Sequence, residues 1–475
     1  MAVRTLGLRW VLLGLAGSLA ICVASADLLR ARPINWWFDP HVPGAAPLLY
    51  AGILALCAAW LGVGRRLRSS PARPQDVVAM GAIWCAPLLF APALFSRDLY
   101  SYLADGAILH HGLDPYVQAP AVLSSLGEPH LLNAVSPFWR HTIAPYGPAF
   151  VGLAALVAAG VGSNLVLGIL LLRVLELGGV LLLAVFVPRL ARALGADPAR
   201  ATWLAVISPL VLVSLIAGGH NDALMAGLLV AGVTLALERR PLLGLALCAL
   251  AATIKLPAAA GVVFIAAAWA RSEPGRAGRI AVWSLLVAGA TLLGVSAATG
   301  VGLDWIGGTL AAPAKVRIAL TPSTAIGYSA ASVLHDLGVS TQARAIESTI
   351  GMALLAATAA WAIWLCSRVR FQTLAWYLGL LLLVSVLSGP APWPWYGIWG
   401  LALIGGCPRT LEWRWLPLTI AASTFMIRAD GQVVLHRQVA PFVLGAYALV
   451  AVLALGAARR RRWTPPFSRA AEFAR

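Results

Sequence analysis

Apolar runs long enough to cross a lipid bilayer recur along the chain, as in "LVLGILLLRVLELGGVLLLAVFV" (165–187). Each run has roughly 15–22 residues, near the ~20 that a membrane-spanning helix needs. Only helices and closed barrels satisfy backbone hydrogen bonds in lipid, and these runs are too long and too uniformly apolar for barrel strands. Charged residues make up only 11% of the 475 residues, against about 25% in soluble proteins. The sequence therefore predicts an all-α, polytopic membrane protein.

The distribution of arginine sets the expected topology. The net charge is +17, but the arginines stand in short clusters between apolar runs, which is the positive-inside pattern of cytoplasmic loops. The basic excess therefore indicates membrane topology and not nucleic-acid binding. Alternating the sides gives about fourteen crossings in one domain (1–457), with long outer loops at 96–146 and 301–345. A basic cytoplasmic tail (458–475) follows, and residues 146–160 are expected to form a half-inserted or surface helix on the outer side.

The first apolar run has two interpretations. Arg4 and Arg9 precede it and it ends in "VASAD", a pattern that resembles a cleaved signal peptide, but the preferred interpretation is that it remains as the first span. In either case the next segment begins outside.

Several other classes of site are not indicated. The six cysteines form no CxxC pair, so neither a zinc site nor a disulfide framework is expected. The chain also has no GxGxxG or Walker sequence and no strong internal repeat.

Polar residues concentrate on the predicted outer side. The first outer loop begins with "SRDLYSYLADG" (96–106), directly after an apolar run. Further outer turns carry "GGHND" (218–222) and "SGPAPWPWY" (388–396). Lys255 stands between two short apolar runs, a position that favours a protected, wet cavity over contact with lipid. Ionisable residues at membrane depth are costly and mark functional sites.

Some of these residues also have a purely structural interpretation. Asp98 can cap the helix that follows it, because Asp is a favoured N-cap residue. Asp114 precedes a proline and is expected to form a turn. The aromatic cluster 393–399 can be an interfacial belt.

Two further pairs are expected to be structural. Arg173 and Glu176 lie three residues apart within one span, which predicts a buried ion pair. His110 and His111 are expected to be solvated loop residues, because no second His, Asp or Glu stands at metal-ligand spacing. No metal site is therefore predicted, and no cofactor is expected.

The combination of residue types suits one kind of chemistry. Cations beside an outward-facing cavity suit a phosphate, an apolar groove suits a lipid tail, and aromatic rings suit a sugar. A carboxylate suits deprotonation of a hydroxyl nucleophile, and inverting glycosyl transfer needs one basic carboxylate whereas retention usually needs two. Lys and Arg stabilise the departing phosphate charge. The pattern therefore indicates transfer of a sugar from a lipid phosphate.

Four stretches resemble the actinobacterial polyprenyl-phosphomannose-dependent α-1,6-mannosyltransferases. These enzymes belong to the GT-C class and build the mannan backbone of lipomannan and lipoarabinomannan. The likeness covers about residues 45–455, and the match of "SRDLYSYLADGA" and "APYGPAF" favours the elongating enzyme over the initiating one. The stretches are "FSRDLYSYLADGAILHHGLDPY", "VSPFWRHTIAPYGPAF", "GGHNDALMAGLLVAG" and "PWPWY".

The resemblance implies a GT-C fold and roles for individual residues. The family's catalytic acid lies in an early outer loop, which matches Asp98, and a lysine after a short span contacts lipid phosphate, which matches Lys255. Asp105 stands where the family often has Gln, so it is a rival for the role of base. Asp98 is preferred because it comes first after the span, nearest the bilayer. The other candidates are Lys315 and Arg317 for the donor phosphate, on charge and side alone, and Tyr100, Tyr102, Tyr146, His220, Asp222, Trp395 and Tyr396 for the sugar and acceptor pocket.

The predicted function is inverting transfer of mannose from polyprenyl-phosphomannose to the 6-hydroxyl of a lipid-anchored mannan, at the outer face of the plasma membrane. The expected partners are this donor, this acceptor and membrane lipids, with no nucleic acid. Three alternatives remain open: a transporter or flippase for a lipid-linked sugar, a non-catalytic cell-wall scaffold, and a GT-C enzyme for another polyprenyl-phosphosugar. One-sided polarity without inverted repeats disfavours the transporter.

Overall fold

The structure is a computed structural model that describes residues 6–30, 44–311, 321–339, 342–426 and 440–449. Within these ranges all regular structure is helical. The α-helices are α1 (Leu8–Arg30), α2 (Ala45–Ser69), α3 (Pro74–Leu89), α4 (Asp98–His110), α5 (Pro129–Ala134), α6 (Pro148–Val161), α7 (Leu165–Ala193), α8 (Pro198–Ala205), α9 (Asp222–Leu237), α10 (Pro241–Ala252), α11 (Ala259–Ser272), α12 (Ala277–Thr299), α13 (Asp304–Ala311), α14 (Pro322–Asp336), α15 (Ala343–Cys366), α16 (Phe371–Ser388), α17 (Ile398–Ile404), α18 (Leu416–Ser423) and α19 (Ala440–Leu449).

Shorter helical segments connect several of these elements. A π-helix covers Leu210–Ala217 and is bent by 48° from α8. The 3-10 segments are Pro120–Ser124, Leu256–Ala258, Pro274–Arg276, Pro394–Gly397 and Pro408–Glu412.

The lengths and compositions of the helices confirm a polytopic helical membrane protein. Six helices in the described ranges are long and apolar enough to cross a membrane, or seven if the bent pair forms one span. They are Leu8–Ala26, Ala45–Ser69, Leu165–Ala193, Pro274–Thr299, Ala345–Cys366 and Phe371–Ser388. The remaining apolar helices are shorter, and the count of about fourteen crossings stays a prediction. The expected half-inserted segment 146–160 corresponds to α6, an apolar helix of 14 residues.

The chain divides into two compact units. The first comprises Met1–Val316, Ala357–Val386 and Trp393–Val434, and the second comprises Arg317–Ala356, Leu387–Pro392 and Leu435–Arg475. Asp98, His220, Asp222, Lys255 and Trp395 all belong to the first unit. The predicted basic tail (458–475) lies outside the described residues, and the single domain 1–457 stays a prediction.

Glycine allows α7 and α9 to pack with their backbones in contact. A Cβ atom at Gly179 would overlap the backbone of Ala223, and one at Gly227 would lie 2.5 Å from the carbonyl oxygen of Gly179. Small residues at helix crossings are typical of membrane proteins, where close van der Waals packing replaces the hydrophobic effect as the main source of association. The crossing fixes α9, whose first residue is Asp222, against the long span α7.

Two buried tryptophans join α2 to α8. Trp60 and Trp203 stack with ring centroids 4.7 Å apart. Each indole N–H donates to the backbone carbonyl of the other residue. The distance is 2.9 Å from Trp60 Nε1 to the Trp203 oxygen and 2.8 Å from Trp203 Nε1 to the Trp60 oxygen. Both side chains therefore bury large apolar surfaces while their polar N–H groups remain satisfied.

Arg173 makes different contacts from those that its spacing to Glu176 predicts. Both residues are buried in α7, but they form no ion pair, so the predicted pairing is wrong. The planar guanidinium has five N–H groups, and they donate to the backbone carbonyls of two other segments. These carbonyls belong to Leu89, Ala91, Pro92, Ile216 and Ala217. Arg173 therefore joins the end of α3 to the end of the π-helix.

The crossing of α7 and α9 gives a first prediction. Gly179→Ala should destabilise the protein by roughly 1–3 kcal/mol, because the added methyl forces two helix backbones apart. Gly178 is the matched control, since a Cβ there meets no atom within 4 Å. Thermal unfolding of the detergent-solubilised protein should show a lower Tm for Gly179→Ala and no decrease for Gly178→Ala. Equal Tm values for the two variants would contradict the close crossing.

Candidate functional site

Asp98 opens α4 at a strained point in the chain. Phe95, three residues earlier, has a φ of 65°, in the left-handed region that bulky residues avoid. The backbone N–H of Asp98 donates to Ser96 Oγ at 2.9 Å. Arg97 occupies the N-cap position, and no described backbone N–H donates to the Asp98 carboxylate, so the interpretation of Asp98 as an N-cap is wrong. The carboxylate is 20% exposed and remains accessible to a substrate.

The turn 218–221 carries His220 to the start of α4. Gly219 has a φ of 67°, which favours glycine. A Cβ at this position would also lie 2.6 Å from the Leu99 side chain. A Cβ at Gly218 would lie 2.9 Å from Cε1 of His220. The two glycines therefore let the turn pack directly against the helix that begins with Asp98.

His220 is fully buried and held on three sides. Its Nδ1 lies 2.5 Å from the carbonyl oxygen of Ser214. Its ring stacks on Trp395, with centroids 3.7 Å apart and planes inclined by 16°. Its Nε2 points toward Asp98, 3.7 Å from Oδ2. Burial lowers the pKa of His220, although the negative charge of Asp98 acts in the opposite direction.

A buried ion pair lies beside this histidine. The Lys255 ammonium donates to both carboxylate oxygens of Asp222, at 2.8 and 2.9 Å, and more weakly to Asn221 Oδ1 at 3.4 Å. The Trp399 indole N–H also donates to Asp222. The ammonium lies 4.5 Å from the ring centroid of Tyr396. The three N–H groups of Lys255 are thus all occupied, and its charge is neutralised within the protein.

The backbone breaks at Lys255, as the sequence predicts. α10 ends before it, and a 3-10 segment leads into α11 after it. The start of α6 fills part of this break: the N–H groups of Gly147 and Ala149 donate to the carbonyls of Ile254 and Thr253, both at 3.0 Å. The break therefore has its carbonyls satisfied by protein while its lysine faces the interior.

Tyrosines connect α4 to the rest of the site. The ring of Tyr102 packs edge-on against Tyr146 and Phe150, at 4.8 and 4.7 Å between centroids. Its hydroxyl accepts a long hydrogen bond from the Asn221 N–H, at 3.4 Å. The Tyr116 hydroxyl donates to the carbonyl of Tyr146 at 2.9 Å. Tyr102 and Tyr146 therefore belong to one packed aromatic group next to the turn that holds His220.

Asp105 lies on the same side of α4 as Asp98, two turns further along the helix. Its exposure is only 3%. Burial, and to a lesser degree the negative charge of Asp98, raises the pKa of Asp105 well above its usual range. The neighbouring Gly106 packs on the backbone of Ala154, which brings α4 against α6. Asp105 is thus an enclosed acid whose burial favours the protonated form, whereas Asp98 is the carboxylate that a substrate can reach.

Aromatic rings form two stacks around the polar residues. Trp393, Trp395 and His220 stack in series, with 4.9 Å between the two indoles. Trp395 is buried and Trp393 is partly exposed. Tyr396 and Trp399 form a second stack, with centroids 4.5 Å apart. Trp393 is therefore the ring of the first stack that offers accessible apolar surface, of the kind on which a sugar ring packs.

One predicted site residue is not brought into this group, and two cannot be placed by the structure. Lys315 and Arg317 lie outside the described residues. Tyr100 is buried with 7% exposure. It is two residues from Tyr102, which places it on the opposite side of α4.

The first outer loop has structural contacts of its own. The Tyr116 N–H donates to Asp114 Oδ1 at 2.8 Å, which confirms the turn predicted at Asp114. His111 pairs with Glu128 at 2.9 Å on the surface. Within the described ranges no three His, Cys, Asp or Glu side chains are gathered as a metal-ligand set.

Sequence reasoning missed three contributors to the site. Arg173 donates to backbone carbonyls of other residues, and Ser214 accepts through its own carbonyl. Such contacts leave no pattern of residue types in a sequence. Trp399 was visible only as a member of an aromatic cluster. Its spacing of four residues from Trp395 was a signal, because residues four apart share a helix face.

The chain matches the family model described as "Alpha-(1->6)-mannopyranosyltransferase, N-terminal domain" over residues 4–271. It is 38% identical over 396 residues to alpha-(1->6)-mannopyranosyltransferase A of Mycobacterium tuberculosis, covering 79% of this chain and 74% of that protein.

Two proteins of Corynebacterium glutamicum are also similar. Alpha-(1->6)-mannopyranosyltransferase A is 36% identical over 247 residues, half of each chain. Alpha-(1->6)-mannopyranosyltransferase B is 30% identical over 349 residues, covering 67% of this chain and 56% of that protein.

No solved structure gives a significant match to the chain. The family model covers more than half of the sequence, and it includes Asp98, His220, Asp222 and Lys255. The chain therefore belongs to the alpha-(1->6)-mannopyranosyltransferase family and is a membrane glycosyltransferase.

Proposed function

We propose that this protein transfers mannose from a polyprenyl-phosphomannose to the 6-hydroxyl of a lipid-anchored mannan, with inversion, at the outer face of the plasma membrane. The observation that carries the proposal is the position of Asp98. It is a partly exposed carboxylate at the start of a buried helix, with a buried histidine, an ion pair and an aromatic stack around it. The names of the relatives support mannose as the sugar and α-(1→6) as the linkage.

The mechanism needs one base and a means of releasing phosphate. Asp98 takes the proton from the acceptor hydroxyl while the oxygen of that hydroxyl attacks the anomeric carbon of the donor. The bond from that carbon to the phosphate oxygen breaks, and the polyprenyl phosphate leaves. A single basic carboxylate favours inversion, because retention through a covalent intermediate usually needs two carboxylates about 5 Å apart. An inverting enzyme that makes an α-linkage requires a β-linked donor.

The phosphate side of the reaction is assigned to cations. Lys255 is the candidate within the described residues, and Lys315 and Arg317 are the candidates in the second outer loop. The ion pair with Asp222 means that a donor phosphate would have to approach Lys255 as a second anion. In this arrangement Asp222 orients the ammonium while the phosphate adds to it, so Lys255 positions the leaving group electrostatically.

The sugar side is assigned to the aromatic residues. We place the mannose of the acceptor or donor on the partly exposed ring of Trp393, since the other rings of that stack are buried. Tyr102, Tyr146, Trp395 and Tyr396 form the wall behind it. The elongating role and a GT-C fold complete the proposal, and they rest on the resemblance of the sequence motifs. The count of about fourteen crossings rests on the apolar runs and the arginine clusters between them.

The proposal is tested by transfer of radiolabelled mannose from polyprenyl-phosphomannose to a synthetic α-1,6-dimannoside in membranes that contain the protein. Asp98→Asn should reduce transfer by 10²-fold or more, which is the usual contribution of a general base. Asp105→Asn is the matched variant and should reduce transfer far less, because Asp105 is buried and does not reach the acceptor. A normal rate for Asp98→Asn, or a larger loss for Asp105→Asn, would exchange the two roles.

The ion pair gives a prediction that separates folding from phosphate binding. Lys255→Met should destabilise the protein by roughly 3–5 kcal/mol, because it leaves the Asp222 carboxylate buried without its partner. The double variant Lys255→Met with Asp222→Asn removes both charges and should recover most of the lost Tm. Its KM for the donor should nevertheless remain raised. A normal donor KM in a double variant whose Tm has recovered would show that Lys255 does not bind the donor phosphate.

A further inference from the structure

We propose that His220 is the proton partner of Asp98: the proton that leaves the acceptor hydroxyl is shared between the Asp98 carboxylate and the His220 Nε2. This inference rests on the proposed function, in which Asp98 is the base. It gives His220, which sequence reasoning placed only in the pocket wall, a positioning role that acts through Asp98.

The tautomer of His220 follows from its contact with Ser214. A backbone carbonyl oxygen can only accept a hydrogen bond, so the nitrogen that lies 2.5 Å from it must carry a hydrogen. That nitrogen is Nδ1. In the neutral ring Nε2 then has a lone pair and no hydrogen. The lone pair points toward the carboxylate of Asp98.

The geometry of the pair suits the arrival of one proton. His220 Nε2 is buried and has no hydrogen-bond partner among the described residues. The distance of 3.7 Å to Asp98 Oδ2 is too long for a hydrogen bond, as expected when two acceptors face each other. A proton delivered to either atom converts this contact into a charge-assisted N–H···O interaction. The pair is therefore arranged to hold the proton that the reaction releases.

The groups that face His220 from the surrounding elements act on its pKa in both directions. Asp98 at the start of α4 and Asp222 at the start of α9 favour the protonated ring, whereas Lys255 between α10 and α11 opposes it. Burial is the largest influence and lowers the pKa of His220, so the resting ring is neutral and ready to accept. The stack on Trp395 fixes the ring plane. Nε2 is thereby held in one direction.

The proposed step balances in atoms and charge. The acceptor oxygen forms a bond to the anomeric carbon, and the bond from that carbon to the phosphate oxygen breaks. The phosphodiester monoanion becomes a phosphate monoester dianion. The hydroxyl proton moves to the Asp98–His220 pair, and from there to water after the product leaves.

The first experiment is independent of sugar transfer. Nitrogen-15 NMR of histidine-labelled protein in detergent reports which ring nitrogen carries hydrogen, and His220→Phe identifies the His220 signals. We expect protonated Nδ1 and unprotonated Nε2 at neutral pH. We also expect a lower His220 pKa in Asp98→Asn than in the wild type, because the variant lacks the carboxylate that favours the charged ring. A hydrogen on Nε2 at neutral pH, or a His220 pKa unchanged in Asp98→Asn, would overturn the inference.

The second experiment uses the mannose-transfer assay. His220→Phe keeps a flat ring against Trp395 but has no nitrogen. Its kcat should fall by on the order of 10²-fold with little change in donor KM. The exposed His111, which pairs with Glu128, supplies the control variant His111→Phe, with an unchanged rate. A wild-type kcat for His220→Phe would refute the role of His220, whereas a wild-type protein that makes no product would refute the proposed function instead.

The pH profile distinguishes proton sharing from simple packing. A pair of coupled sites binds its first proton at a higher pH than Asp98 alone would, because both sites contribute to that binding. In the pH profile of kcat/KM, the fall on the acidic side should therefore move to lower pH in His220→Phe. A fall that stays in place, with only a reduced amplitude, would indicate a structural role and overturn the inference.

Discussion

The Arg173 guanidinium holds together the two chain breaks from which the candidate site is built. Carbonyls at helix ends lack intrahelical partners, and leaving them buried without a hydrogen bond is costly. Arg173 satisfies carbonyls at the end of α3 and at the end of the π-helix. Asp98 follows the first of these breaks and His220 follows the second. One charged side chain in a membrane span thus sets the distance between the proposed base and its neighbour.

A second constraint is the neutralisation of charge inside the helix bundle. Asp222 at the start of α9 and Lys255 in the break between α10 and α11 are both buried, so each requires the other. Their pairing joins the first turn of α9 to the break between α10 and α11. Trp399 adds a hydrogen bond from the aromatic segment. Charge pairing therefore brings together three parts of the chain that are separated by up to 177 residues in sequence.

The chemical roles of the carboxylates differ because their surroundings differ. Asp98 and Asp105 lie on one side of one short helix, and their residue type is the same. Asp98 is at the open end of α4, whereas Asp105 lies against α6 where Gly106 meets Ala154. Burial raises the pKa of Asp105 and encloses its carboxyl, which leaves Asp98 as the accessible one. Position along α4 thus decides which carboxylate can act as a base.

The sequence by itself determined that the chain is embedded in a lipid membrane and which polar residues it carries there. Apolar runs, arginine clusters and the motif around Asp98 are local patterns, and the hydrophobic effect and the cost of burying charge act on them directly. Tertiary structure alone decided the partners: Arg173 binds carbonyls and not Glu176, and His220 faces Asp98. These contacts join residues far apart in sequence, several through backbone atoms that every residue shares. Only the packed helices specify them.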